Sequence, residues 1–260
     1  MNLAIIGGTG LYRVDWLENR KELTVATRYG RAQLVQGTYA GNQVYFLNRH
    51  GVGHALPPHR VNYRANIWAL QELGVQRIIA TAAVGSLQET IHPGSWVLID
   101  QFIDFTKSRP MTFYEGDGQG VVHVDVSNPY CPDLRHRLAD HCRSLNIPFH
   151  DKGTYVCTEG PRFETPAEIR MFAQWGGDVV GMTGVPEIVL SREVGLCYAA
   201  LAMVTNYAAG ISATRLTHSE VVAVMNQNGE RLSSFLQQVI ASLGNEANCD
   251  CHVLPEVHGR

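Results

Sequence analysis

The feature that most limits how this chain can fold is a recurring unit: a short apolar, often β-branched run that breaks off at Gly, Asn, Thr or Asp. It appears as "LAIIG", "QVYFLN", "RIIATAAVG", "SWVLIDQFID", "GTYVCTEG", "DVVGMTG" and "CYAALAMVTN". Runs of this kind fit buried strands, and the residues that end them suit turns and ligand loops. Between them lie helical patterns at Arg64–Leu73, Leu134–Leu145 and Thr165–Trp175. Thr217–Ser242 reads as a long C-terminal helix with Val221, Val222, Met225, Leu232, Phe235 and Val239 on its inner side. Strands alternating with helices predict an α/β domain with helices packed on a mixed sheet. A chain of 260 residues with no internal repeat or low-complexity linker is expected to form one domain over 1–245, followed by a tail over 246–260. Residues 104–130 lack periodicity, as a lid or a subunit contact does.

Composition narrows the function classes. With 45% hydrophobic and 17% charged residues the chain is neither disordered nor fibrous, and a net charge of −3 gives no footprint for nucleic acid or an anionic membrane. The apolar stretch Leu196–Val204 is too short to cross a bilayer, and no basic region precedes an apolar leader, so a cytoplasmic protein is expected. The six cysteines are scattered without a CxxC pair, which predicts no metal; four of them sit singly and read as plain thiols. Cys249-Asp250-Cys251 is open to three readings: a local disulfide, a soft-metal contact or a polar tail.

Four strand exits carry groups that suit an anion. The first, Gly7-Gly8-Thr9-Gly10, lacks the third glycine of a dinucleotide fingerprint and the Lys of a phosphate-binding P-loop. It still offers a hydroxyl and backbone N–H groups to a small oxyanion. "LNRHG" adds the planar donor fork of Arg49 and a possible donor in His50. "TAAVGS" brings backbone amides at Ala82 and Ala83, and "GMTGVPE" brings Thr183 after Met182. No Ser-His-Asp arrangement accompanies them.

Taken together, "IIGGTGL", "RHG", "PHRVNYRANIWAL", "TAAVGSL", "PGSWVLIDQFID", "EGPRFET", "GMTGVPE" and "TNY" resemble the purine nucleoside phosphorylase family, in its methylthioadenosine phosphorylase branch. They keep the family's order from about residue 3 to residue 220. The resemblance implies the nucleoside phosphorylase fold, a single α/β domain whose central mixed sheet is distorted and barrel-like and flanked by helices. It implies that the anion is orthophosphate acting as nucleophile, a co-substrate, with no cofactor. Thr9, Arg49, His50, Ala82, Ala83 and Thr183 would bind it, with Arg49, His50 and Asn206 catalytic. Ala82 departs from the branch, which usually has Thr there, so that position must rely on its backbone. Met182 would lie under the sugar and Phe163 against the base.

The base-reading residues depart further. Asn206 and Ala208 stand where the adenine-specific branch has a carboxyl pair. An amide instead donates to O6 of hypoxanthine or guanine and accepts from N7–H. Glu164 makes the same point, because a carboxylate accepts from N1–H of a 6-oxopurine and would face a lone pair on adenine. A mispaired buried edge costs about 1–3 kcal/mol. His218 resembles the histidine that reads the 5′-hydroxyl in inosine/guanosine enzymes. His123 resembles one that family members lend to the neighbouring subunit, which implies a homotrimer or a dimer of trimers. Without the resemblance, Asn206 reads as a turn residue, Glu164 as a helix-start carboxylate and His218 as an exposed helix start. With it, the expectation is phosphorolysis of inosine or guanosine in purine salvage. The alternatives are action on 5′-methylthioinosine or methylthioadenosine and, from another class, a nucleoside-binding sensor.

Overall fold

A computed structural model describes residues 1–8, 11, 14–116, 118–212, 218–244 and 246–259; for residues 52, 218–223, 226 and 227 only the backbone is considered. The strands are β1 (Asn2–Gly7), β2 (Glu18–Thr27), β3 (Gly30–Tyr39), β4 (Asn42–Asn48), β5 (Arg77–Ser86), β6 (Trp96–Leu98) and β7 (Gln101–Phe105). They continue with β8 (Val121–Val122), β9 (Phe149–His150), β10 (Thr154–Thr158), β11 (Val179–Gly181), β12 (Cys197–Tyr207) and β13 (Val257–His258). The helices are α1 (Tyr63–Glu72), α2 (Pro132–Ser144), α3 (Pro166–Gln174), α4 (Gly184–Glu193) and α5 (His218–Ser242).

Eleven strands form one mixed sheet ordered β2-β3-β4-β1-β5-β11-β10-β7, with β12 branching from β5 and leading through β6 to β9. Each predicted apolar run forms strand, and each predicted helix is present to within two residues at either end. Side chains alternate across the sheet as strand geometry demands. Ala4 and Ile6 of β1 and Tyr198, Ala200, Ala202 and Val204 of β12 face the core shared with α1 and α4. Leu3 and Ile5, with Cys197, Ala199, Leu201 and Met203, face the core under α2 and α5.

Besides the two-residue strands β8, β9 and β13, which no predicted run covers, a hairpin and a helix differ from the sequence expectation. The β2–β3 hairpin was not expected because β2 is largely exposed and lacks an apolar run. Helix α4 was missed because it is buried nearly all round, from Val185 and Ile188 to Ser191 and Glu193, so no amphipathic stripe marks it. The unperiodic segment 104–130 is anchored: Arg109 donates to the carbonyls of Val185, Thr158 and Glu159, and Phe113 is fully buried.

The sheet has a branch at β5 that positions everything below. β1 pairs with β5 only up to Ala80, and β11 joins the same strand at Gly85. β12 follows β5 along its other edge throughout. Between Ala80 and Gly85 one edge of β5 is left without a strand partner, the kind of switch point at which α/β sheets hold ligands.

Candidate active site

A cavity of about 390 Å³ opens at this gap, a volume suited to a small polar ligand. It is lined by residues at the ends of β1, β4, β5, β10, β11 and β12. Of the expected site residues, Arg49, His50, Ala82, Ala83, Phe163, Glu164, Met182, Thr183, Asn206 and Ala208 all line it. Thr9 and the side chain of His218 lie outside the described residues. His123 is exposed just after β8 and does not line this chain's cavity.

The anion end is built on Arg49, which is 2% exposed. Its Nε and Nη2 donate to the two carboxylate oxygens of Glu187 at 2.9 and 2.8 Å, and its Nη1 donates to Thr81 O at 2.9 Å. Tyr198 donates to the same carboxylate at 2.7 Å. Burial works against the guanidinium's charge, but Glu187 outweighs it and holds Arg49 protonated far above its ordinary range. The bidentate grip leaves one N–H on each terminal nitrogen for a ligand. Gly8 is required here, since a Cβ would lie 2.7 Å from Thr81 O and 3.0 Å from Arg49 Nη1.

His50 plays a different part from the donor expected of it. Its Nδ1 lies 2.8 Å from the carbonyl of Leu56, so Nδ1 carries the hydrogen and Nε2 presents a lone pair. Burial is the main force lowering its pKa, with the charges of Arg49 and His54 adding to it, and it comes down to about 4. The ring stacks on His54 at 4.1 Å. A neutral imidazole of this tautomer accepts a hydrogen bond from a phosphate hydroxyl rather than donating one to a bare oxygen. Ala82 and Ala83 contribute the open edge of β5. Thr183 caps α4 without a side-chain cap bond, which leaves its hydroxyl to the cavity. The backbone N–H groups of Thr183 and Gly184 donate to Tyr155 Oη at 3.1 and 3.4 Å, fixing that turn from beneath.

The other end of the cavity is polar in a different way. β12 bulges between Val204 and Asn206, and such an extra residue re-aims a side chain out of the ladder. Asn206 Nδ2 donates to Tyr207 O at 2.8 Å and its Oδ1 accepts from Thr205 Oγ1 at 2.8 Å. The carbonyl of Tyr207 settles which end of the amide is nitrogen, leaving one N–H and one lone pair for a ligand. Glu164 accepts from Thr158 Oγ1 at 2.6 Å. Burial raises its pKa, opposed by that hydrogen bond. Phe163 is 41% exposed, an unusual exposure for a large apolar ring, and stands at the cavity mouth. Gly160, before this loop, has φ +65° and faces the Met182 sulfur, which a Cβ would approach to 2.7 Å.

Four supporting residues were not identified from the sequence: Glu187, Thr158, Tyr155 and His54. Glu187 left a signal, as the lone charge in the apolar stretch "GVPEIVL". The others left none, because they act on neighbours brought together only by folding.

This architecture and this cavity define a member of the phosphorylase superfamily, to which the chain belongs: the family's model matches residues 2–241. The chain is 56% identical over 96% of its length, and 95% of the relative's, to the "Probable 6-oxopurine nucleoside phosphorylase" of Dictyoglomus turgidum. It is 48% identical, over 96% of its own length and 95% of the relative's, to the S-methyl-5′-thioadenosine phosphorylase of Thermofilum pendens. Among solved structures, a methylthioadenosine phosphorylase from an antarctic soil metagenomic library superposes with a TM-score of 0.90 at 39% identity, covering 97% of this chain and 90% of that one.

Proposed function

We propose that this chain is a 6-oxopurine nucleoside phosphorylase that converts inosine or guanosine and orthophosphate into hypoxanthine or guanine and ribose 1-phosphate, in purine salvage. The observation that carries the reading is the pairing of the Asn206 amide and the Glu164 carboxylate in one cavity. An N–H of Asn206 donates to O6, and its carbonyl accepts from N7–H once the departing base anion has taken a proton there from solvent. Glu164 accepts from N1–H and, on guanine, from the 2-amino group. Ala208 supplies no second carboxyl of the kind adenine recognition uses.

The chemistry follows from the two ends of the site. Breaking the N-glycosidic bond leaves positive charge on the ribose and negative charge on the base. Phosphate held by Arg49, His50, Thr183 and the open edge of β5 stabilises the ribosyl cation and then bonds to C1′. Asn206 stabilises the departing base late in the reaction, where it lowers the barrier. Position and aimed donors do the work, so no covalent protein nucleophile and no cofactor enter the reaction. His123 is proposed to reach a neighbouring subunit's site in a homotrimer or a dimer of trimers. His218 is proposed to read the 5′-hydroxyl, and the enzyme to act in the cytoplasm. The described helices include none long and apolar enough to span a membrane.

Action on 5′-methylthio nucleosides is the second reading, favoured by the names of the Thermofilum relative and of the metagenomic structure. One assay separates the two: base release from inosine, 5′-methylthioinosine, adenosine and methylthioadenosine, each with and without orthophosphate. Phosphate-dependent cleavage of inosine above the other three is expected. A preference for either adenine nucleoside would overturn the reading of the base pocket, and phosphate-independent cleavage would overturn the reaction class.

A further inference from the structure

Of the six cysteines, Cys142 and Cys157 are isolated in the core, but the other four meet. Cys131 is the N-cap of α2, Cys197 opens β12, and Cys249 and Cys251 come from the segment after α5. Their sulfurs all lie within 4.8 Å of one another. Cys249 Sγ is 3.6 Å from Cys131 Sγ and 3.4 Å from Cys197 Sγ. The expectation that Cys131 and Cys197 are plain single thiols is thus corrected: 66 residues separate them in sequence and folding closes the gap. The segment is no loose polar tail either, because Cys251 is 3% exposed and packs in the core under α2 and α5.

We propose that these four cysteines form a tetrathiolate site for a zinc-like divalent cation, remote from the active cavity. Zinc–thiolate bonds of about 2.3 Å in a tetrahedron place sulfurs about 3.8 Å apart, within the spacing found here. Cys131 Sγ already accepts the N–H of Leu134 at 3.4 Å, the kind of supporting bond that steadies a thiolate ligand. Binding forms four metal–sulfur bonds and releases four thiol protons to solvent; no electron moves.

The scaffold around the cluster is firm. Arg77, fully buried, donates to the carbonyls of Gly244 and Glu246 and lies 3.6 Å from Asp133 of α2. Beyond the cluster, β13 pairs with β8. Cys249 is the half-buried member and gives the cation a way in. The bound ion would cross-link the chain's last segment to α2 and β12, and through β8 steady the segment that carries His123.

The test uses the full chain, reduced, stripped with a chelator and titrated anaerobically with cobalt(II), then zinc(II). About one equivalent of cobalt per chain is expected, with the intense visible bands of a tetrahedral tetrathiolate, and zinc should displace it. Cys249→Ser, at the rim, should weaken cobalt binding by more than the roughly 10–100-fold that loss of a supporting group causes. Cys142→Ser should bind as the parent does. A chelator should lower the melting temperature of the parent but not of Cys249→Ser. Failure of the reduced parent to take up a stoichiometric ion overturns the proposal. So does binding that is indifferent to Cys249→Ser. Disulfides recovered from freshly isolated protein, with no uptake after reduction, would make the cluster a covalent staple instead. None of these readouts depends on the substrate, so they stand apart from the proposed reaction.

Discussion

Glu164 is a single carboxylate whose protonation decides which purine edge it fits. Burial raises its pKa above the ordinary carboxylate value, against the hydrogen bond from Thr158. The ionised form accepts from N1–H, so activity on inosine should fall on the acid side at a higher pH than an unperturbed glutamate would give. The protonated form donates and matches the N1 lone pair of adenine, so the ratio of adenosine to inosine cleavage should rise as pH falls. In Glu164→Gln, kcat/KM for inosine should drop by roughly tenfold to a hundredfold, the effect of about 1–3 kcal/mol, and the acid limb due to this residue should vanish. An unchanged acid limb in initial-rate profiles would place that titration elsewhere. At this scale the residues that were legible in the sequence are those that face the cavity from strand ends, such as Arg49, Asn206 and Thr183. Their supports, Glu187 and Thr158, were not, because a side chain that orients another is defined by a distance and not by a spacing.

Strand β10 shows how an element can shape a site it barely lines. Tyr155 lies on it, 2% exposed, and its hydroxyl oxygen accepts the N–H groups of Thr183 and Gly184 where β11 turns into α4. Close packing locks the arrangement, since a Cβ on Gly181 would come within 2.5 Å of that oxygen. Removing the oxygen leaves the buried Thr183 donor and the half-buried Gly184 donor unpaired, the first costing about 1–3 kcal/mol less any relaxation. Tyr155→Phe should therefore lower the free energy of unfolding by a few kcal/mol and raise KM for phosphate more than KM for nucleoside, because Thr183 sits at the end proposed to hold phosphate. Urea melts and substrate-saturation curves check both, and an equal rise in the two KM values would contradict the placement. The strands of this scaffold were readable as apolar runs. Helix α4 was not, although its first turn holds Thr183, because burial on every side erases the polar face by which a helix is recognised.

For the molecule as a whole, the neutral state of His50 links folding to pH. Its pKa falls to about 4 in the folded chain, against 6.5 when exposed. Between these values the unfolded chain binds the proton and the native one does not, so stability is full above about pH 6.5 and declines as pH falls towards 4. The loss approaches roughly 3 kcal/mol, and His50→Gln should remove that part of the slope in denaturant melts at successive pH values. What the sequence could not reveal at this scale is contact between distant segments: the meeting of Cys131 and Cys197 with the chain's end depends on Arg77, β8 and β13, none of which carries a motif. The same limit applies to the proposed contact between subunits, and a mixing experiment reaches past it. His123 is exposed and does not line its own chain's cavity, while Asn206 does. If His123 completes a neighbour's site, as proposed, a His123→Ala chain still offers an intact base pocket and an Asn206→Ala chain still offers an intact His123. Each variant alone should be impaired in kcat/KM for inosine. Co-refolded into mixed assemblies, some sites combine a good pocket with a good histidine, and activity should exceed the sum of the two separate variants. Sites made within one chain would give only that sum, and co-refolding would then restore nothing.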